Sequence, residues 1–187
     1  MTPQPSRSPS ARNLELARRI HARAHLTGEF TLRSGAVSDE YFDKYLFEAD
    51  PPLALAIAQQ LATLIPDRVD ALAGLELGGV PLATLCSQVS GLPTLFVRKQ
   101  AKTYGTCRLA EGGPVQGRGL AVVEDVVTSG GQVIESCREL RVQGADIVAV
   151  LCVIDREAQG AEALAREGLE LRSLFTAGDL ARAAGSA

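Results

Sequence analysis

Apolar residues first recur at helical spacing in NLELARRIHARAHL, where Leu14, Ala17, Ile20 and Ala24 share one face of an amphipathic helix beginning at Asn13. A second helical pattern turns Leu53, Ile57, Leu61 and Leu64 inward, with Asp50 as its N-cap and Pro51 at the first helical position. Beyond Pro66 the pattern changes to short unbroken apolar runs separated by loops and helical stretches. It predicts strands over Val69 to Ala73, Thr94 to Val97, Gly119 to Val123, Asp146 to Ile154 and Leu169 to Phe175. Helices are predicted from Val80, from Gln132 and over Ala161 to Arg166. Apolar runs without alternation describe strands buried on both faces, so the pattern predicts an α/β fold whose central, mostly parallel sheet is flanked by helices. TAGD, Thr176 to Asp179, reads as a capping box opening a short terminal helix.

Residues 28 to 47 read as short strands and turns and hold five of the eight Phe and Tyr residues, a small aromatic-rich hood ahead of the core. The expected organisation is a disordered tail over 1–12 and one domain over 13–187, with hood elements at about 13–47 and the core at about 50–175. With 187 residues, 46% of them hydrophobic, and a net charge of −3, a sizeable core is available and disorder is excluded for most of the chain. The longest apolar run, Ile147 to Ile154, is far short of the roughly 20 residues that span a bilayer, so no membrane segment is expected. MTPQPSRSPSAR carries no apolar stretch of a secretory signal, and the expected location is cytoplasmic.

A pI near 5.5 argues against general affinity for nucleic acid. The four cysteines form no C-x-x-C pair, which suggests neither a zinc site nor a disulfide framework; Cys86, Cys137 and Cys152 read as small core residues. His21 and His25 lie one turn apart, but Arg18, Arg19 and Arg23 repel a cation there, so the pair reads as surface.

In open parallel sheets ligands sit beyond the C-terminal ends of the strands. The sharpest signal there is LAVVEDVVTSGGQ, Leu120 to Gln132, in which two carboxylates close a buried run and a loop of small residues enters a helix. Thr128, Ser129, Gly130 and Gly131 can wrap a phosphate with backbone N–H groups and hydroxyls at the positive end of that helix. Glu124 and Asp125 would repel the phosphate, so they serve another part of the ligand, either hydroxyls or a balancing cation. A ribose 5-phosphate offers the hydroxyls, with Mg²⁺ nearby. No Lys follows these glycines, which excludes a Walker loop, and the absent G-x-G-x-x-G leaves a nicotinamide oxidoreductase the weakest class.

FVRKQAKTYGTCR, Phe96 to Arg108, gathers Arg98, Lys99, Lys102 and Arg108 without an acid, and holds two of the chain's three lysines. A basic stretch of this length between two strands reads as a lid over an anionic leaving group. In GLELGGVPLA, Gly74 to Ala83, the glycines at 78 and 79 either expose N–H groups to a second phosphate or permit a tight turn.

In their order along the chain, GEFTLRSG, YFDK, GLELGGVPLA, VRKQAKTYGT, EGG, VVEDVVTSGG and IDREAQG resemble the type I phosphoribosyltransferases, and among them the orotate-using branch. The resemblance implies the fold of that family and transfer of ribose 5-phosphate from phosphoribosyl pyrophosphate to orotate. It places Asp125 and Glu124 on the ribose hydroxyls. Thr128, Ser129, Gly130, Gly131 and Gln132 match the 5-phosphate loop, Val126 and Val127 other contacts of phosphoribosyl pyrophosphate, and Leu77 and Gly78 the pyrophosphate side. Arg98, Lys99, Lys102 and Tyr104 match a catalytic loop that reaches into the neighbouring subunit, which implies a homodimer. Arg33, Tyr41, Phe42, Thr128 and Arg156 match the surroundings of orotate. Asp125, Lys99 and Lys102 would carry catalysis, and Mg²⁺ would be held mainly by the substrate, with Asp125 nearby and no direct side-chain ligation.

Two departures stand out. Leu77, Gly78 and Gly79 stand where many relatives read Tyr-Lys-Gly, so the lid or Lys44 must supply that charge, and Tyr104 stands where many have His. The alternatives are a related enzyme using another base and a regulator that senses phosphoribosyl pyrophosphate without turning it over.

Overall fold

The sheet is organised around the run GLAVVEDVV. In the computed structural model, which describes residues 11–31, 35–99 and 109–185, this run is one nine-residue strand. The tail over 1–10 and the residues Arg33, Lys102, Tyr104, Cys107 and Arg108 lie outside the described residues. The elements run α1 (Ala11–Ala24), β1 (His25–Thr31), β2 (Val37–Phe42), α2 (Lys44–Glu48), α3 (Pro51–Ala62), β3 (Ala71–Leu75), α4 (Gly79–Ser90), β4 (Thr94–Val97) and β5 (Ala110–Glu111). They continue as β6 (Gly119–Val127), α5 (Gly131–Val142), β7 (Asp146–Asp155), α6 (Gly160–Arg166), β8 (Leu171–Thr176) and α7 (Ala177–Ala184).

The main sheet has the order β5-β4-β3-β6-β7-β8 and is parallel except for the short edge strand β5. From β3 the chain winds outward to β4 on one side and through β6, β7 and β8 on the other. The crevice beyond β3 and β6 is therefore the switch point at which α/β sheets hold ligands. Alternate residues of each strand feed separate cores. Leu72, Ala121, Val123 and Leu151 pack with α1, α3 and α4, while Ala73, Val122, Val150 and Cys152 pack with Cys137 and Leu140 of α5 and Leu164 of α6. Cys86, Cys137 and Cys152 are all buried, as their small apolar character suggested.

Several boundaries move from those read in the sequence. β3 starts at Ala71, because Asp70 is engaged instead in accepting Gly119 N–H on its carboxylate at 2.7 Å. β6 does not stop at Val123: its ladder with β7 continues through Val126↔Ile154 and Val127↔Asp155, so both acids lie inside the strand. β8 runs over Leu171–Thr176 rather than from Leu169. On α1, Leu16 joins Ala17, Ile20 and Ala24 in the core, and Leu14 is only half-buried. Asp50 caps α3 as expected, accepting from Leu53 N at 3.1 Å, and the Thr176–Asp179 capping box opens α7.

The hood is an antiparallel hairpin of β1 and β2, followed by the short helix α2 where strands and turns were expected. Asp43 caps that helix, accepting from Tyr45 N at 3.1 Å, and fully buried Phe47 pins it to the core. Among the described residues no helix is long and apolar enough to cross a membrane.

Candidate active site

At the crevice the start of α4 lies directly against β6. A Cβ on Gly79 would sit 2.1 Å from the Val123 carbonyl oxygen, and one on Gly74 would sit 2.6 Å from the Gly79 carbonyl oxygen. Gly78 has φ −66°, an ordinary helical value, so the double glycine exists for close approach and not for a left-handed turn. The space a Gly78 side chain would use is taken by two carboxyls: its Cβ would lie 1.7 Å from Asp125 Oδ2 and 2.9 Å from Glu48 Oε1.

Neighbouring residues of a strand start toward opposite faces, so the two acids of β6 meet different surroundings while their carboxyl groups still touch. Asp125 has no exposed surface, receives Val126 N–H on Oδ1 at 2.5 Å, and lies 2.6 Å from Lys44 Nζ through Oδ2. Burial opposes its charge, but hydrogen bonds from Glu124 and Lys44, together with the Lys44 charge, outweigh that and hold it below the usual carboxylate range. Glu124 opens instead onto the cleft, with Oε1 accepting the Asp125 N–H at 3.0 Å. Burial, then its contact with Asp125, pushes Glu124 up to about 9, and the same two causes push Glu48 to about 9. Burial would lower Lys44, yet the hydrogen bond and charge of Asp125 raise it overall.

After Val127 the chain turns through Thr128 and Ser129 to Gly130, whose φ of +76° sets the entry into α5. The turn is braced from behind. A Cβ on Gly160, at the start of α6, would meet the Thr128 carbonyl oxygen at 2.2 Å. Thr128, Ser129, Gly130, Gly131 and Gln132, with Glu124 beside them, line a hollow of about 300 Å³ at the positive end of the twelve-residue α5.

An adjoining cleft of about 370 Å³ places Phe42, Lys44, Leu77, Lys99, Gln132 and Arg156 around Glu124 and Thr128. Lys99 is anchored at the rim, its N–H donating to Glu76 Oε1 at 2.7 Å. Arg156 leaves the end of β7 with its N–H on the Val127 carbonyl at 2.9 Å. The structure thus brings together Glu124, Val126, Thr128, Gln132, Leu77, Lys99, Phe42 and Arg156 from the residues named in the sequence.

Others fall elsewhere. Arg98, which pairs through its N–H with Leu109, is absent from the cleft wall, whereas Val127, though almost wholly buried, borders the hollow at the turn. Tyr41 does not reach this cleft; it packs on Phe30 at 5.4 Å and lines, together with Phe42 and Arg156, an adjoining cavity of about 410 Å³. His21 and His25 line that same cavity, stacked at 4.6 Å, with His25 Nε2 3.3 Å from Glu40, so they are not plain surface.

Sequence reasoning missed Glu48, Glu76 and Gly160, and gave Lys44 no partner. The available signal was the i, i+4 spacing of Lys44 and Glu48 behind an Asp cap, which puts both on one side of a helical turn.

Comparison with known proteins points the same way as this geometry. A family model described as the phosphoribosyl transferase domain matches residues 49–172. The chain is 54% identical over 173 residues to an orotate phosphoribosyltransferase of a Nocardioides species, covering 91% of this chain and 97% of that one. It is 46% identical over 156 residues to the orotate phosphoribosyltransferase of Halobacterium salinarum, covering 82% and 87% of the two chains. The crystal structure of Mycobacterium tuberculosis orotate phosphoribosyltransferase in complex with 5-phospho-alpha-D-ribosyl 1-diphosphate superposes with a TM-score of 0.78 at 29% identity, over 91% of this chain and 99% of that one.

Proposed function

The chain belongs to the orotate phosphoribosyltransferases of the phosphoribosyl transferase family, and from that membership we propose how its cleft divides the work of the reaction. The enzyme is a pentosyltransferase that moves ribose 5-phosphate from phosphoribosyl pyrophosphate to orotate, yielding orotidine 5-monophosphate and pyrophosphate for pyrimidine biosynthesis. The observation that carries the reading is the run from Glu124 and Asp125 through the Thr128–Gly131 turn into α5, opening onto a cleft walled by Phe42 and Arg156.

The 5-phosphate sits in the turn, where the N–H groups and hydroxyls of residues 128–131 meet the helix end. Glu124 accepts from the ribose hydroxyls on the cleft side, and Asp125 supports them from behind the strand. Orotate stacks by Phe42, and its carboxylate meets the Arg156 guanidinium. The ring nitrogen of orotate attacks the anomeric carbon as the bond to the pyrophosphate oxygen breaks, and that electron pair leaves with the pyrophosphate. Positive charge develops on the sugar and negative charge on the leaving group, so catalysis is chiefly electrostatic. Lys99 at the rim, with Arg98 and Lys102, supplies cations to the departing group, and Arg33 and Tyr104 complete the surroundings of the two substrates. Closure of the loop excludes the water that would otherwise consume the donor.

Glu124 opens an acidic wall onto the cleft beside the phosphate hollow, which suits Mg²⁺ carried in by the substrate, with Asp125 nearby and no direct side-chain ligation. The substrate's own oxygens would hold the ion mainly, and it would supply further charge neutralisation to the pyrophosphate. We also propose one cytoplasmic domain with a hood at about 13–47 and a core at about 50–175, working as a homodimer that shares its loop across subunits. Mixing inactive Lys102→Ala and Asp125→Asn chains should then restore part of the activity. The reaction itself is tested by mixing protein, orotate, donor and Mg²⁺: orotate absorbance falls if the reading is right, and an unchanged spectrum overturns it.

A further inference from the structure

We infer that Glu48 is a positioning residue for the donor site: from the hood helix α2 its carboxyl seats against Asp125, in room left by Gly78, and fixes that carboxylate where it supports the ribose. The inference rests on the orotate phosphoribosyltransferase reading above.

Three observations converge on one oxygen atom. Asp125 Oδ2 lies 2.6 Å from Lys44 Nζ, and it and Glu48 Oε1 both crowd the point where a Gly78 Cβ would stand, at 1.7 and 2.9 Å. Glu48 Oε1 is buried without a hydrogen bond among the described residues, Asp125 Oδ2 is buried with only the Lys44 ion pair, and both crowd the same point beside Gly78, so Asp125 is the group that Glu48 can serve. Lys44 and Glu48 are four residues apart on a single helical turn, which lets both reach the same carboxylate.

The helix that carries them has little freedom. Asp43 caps it, Ala49 N–H closes it on the Tyr45 carbonyl at 2.9 Å, and Phe47 is fully buried between Lys44 and Glu48. A carboxyl placed this way has one use. Two buried carboxyl oxygens crowd one point with a single ammonium between the pair of acids, so the contact holds a proton and Glu48 donates it to the charged Asp125. Oδ1 of Asp125 is held by the Val126 N–H, but Oδ2 held by Lys44 alone would follow that flexible side chain; a second donor on Oδ2 fixes the plane of the carboxylate.

The test compares Glu48→Ala, Glu48→Asp and Glu48→Gln with the wild type in steady-state assays with both substrates, alongside calorimetric titration of phosphoribosyl pyrophosphate. Ala and Asp remove the donor or its reach, and should raise the donor KM and Kd about tenfold, as expected for losing a hydrogen bond to a charged group. Orotate KM should stay within about twofold, and Gln, which keeps a donor at the same length, should restore the donor constants to within about twofold of wild type. Unchanged donor constants in the Ala and Asp variants overturn the inference, and so does a Gln variant as impaired as Ala. Should Ala fail to fold, the contrast between Asp and Gln decides alone. An inactive wild type would instead count against the assigned reaction.

Discussion

Lys44 Nζ stands 2.6 Å from Asp125 Oδ2, and of the two side chains Asp125 is wholly buried while Lys44 is 34% exposed. The ion pair therefore joins the hood to the middle strand of the core. Lys44 also lines the cleft onto which Glu124 opens, so its ammonium stands between that cleft and the buried carboxylate. Lys44 is consequently not a free cation awaiting pyrophosphate: it must first leave, or share, a carboxylate that is buried without it.

Lys44→Met keeps the apolar stem of the side chain and deletes the charge. Breaking a buried pair costs several kcal/mol, and solvent around the exposed Lys reduces that to about 1–3 kcal/mol, or roughly 2–10 °C in Tm. Adding Asp125→Asn should recover much of the loss, because no unpaired buried charge then remains. Calorimetric melting of the wild type, both single variants and the double variant checks this; purely additive losses would exclude the coupling.

Ligand-free stability should decline as pH rises from about 5 to 9. Glu48 and Glu124 sit at about 9 when folded, against an ordinary carboxyl value of 4.5. The folded chain keeps protons that the unfolded chain releases, so this contribution is complete below about 4.5 and disappears on approach to 9. Asp125 acts in the opposite sense, since its lowered value stabilises at neutral pH and is lost only in acid. Lys44, shifted upward, keeps its charge across the window. The Tm of Glu124→Gln should vary with pH less steeply than that of the wild type from 5 to 9, and parallel slopes would contradict the assignment.

The strands were legible because burial on both faces writes them as unbroken apolar runs, and their ends were misread where function interrupts the code. Glu124 and Asp125 look like the end of a strand, yet the ladder passes through them to Val127, and polarity there belongs to the site rather than to a turn. Tyr45 and Phe47 made the segment after Asp43 resemble a strand, although only Phe47 is buried. Glu48 and Gly160 act through contacts between distant segments, and such contacts leave no local pattern.

Gly160→Ala tests whether the phosphate turn depends on its brace. The added Cβ would lie 2.2 Å from the Thr128 carbonyl oxygen and 2.8 Å from Val127 Cγ1, so either α6 or the turn must move. Overpacking of this kind costs about 1–3 kcal/mol. A displaced Thr128 also misaligns the N–H groups of the turn, and donor KM should rise about tenfold. Steady-state kinetics at saturating orotate checks it, and an unaltered donor KM would mean that α6 gives way instead.

Arg156 is presented by an unusual loop. Glu157 and Gln159 have φ of +54° and +66°, values that cost a non-glycine residue about 1 kcal/mol or more each. The loop is held at both ends of Glu157, whose N–H donates to Asp155 Oδ1 at 2.9 Å and whose Oε2 accepts Gly178 N–H at 2.9 Å. Those bonds tie the loop to the end of β7 and the first turn of α7, and with them the guanidinium next in sequence. Arg156→Ala should raise orotate KM by about a hundredfold through loss of a charge-assisted contact, and Arg156→Lys should recover little, since an ammonium cannot make the bidentate pair. Glu157→Ala leaves Arg156 in place but frees the loop, so orotate KM should rise by a smaller factor, about three to ten, with donor KM unchanged. Varying each substrate in turn separates these effects; a Glu157→Ala enzyme impaired chiefly in donor use would show that the pinned loop serves the phosphate turn, through the Arg156 N–H on the Val127 carbonyl, and not the base.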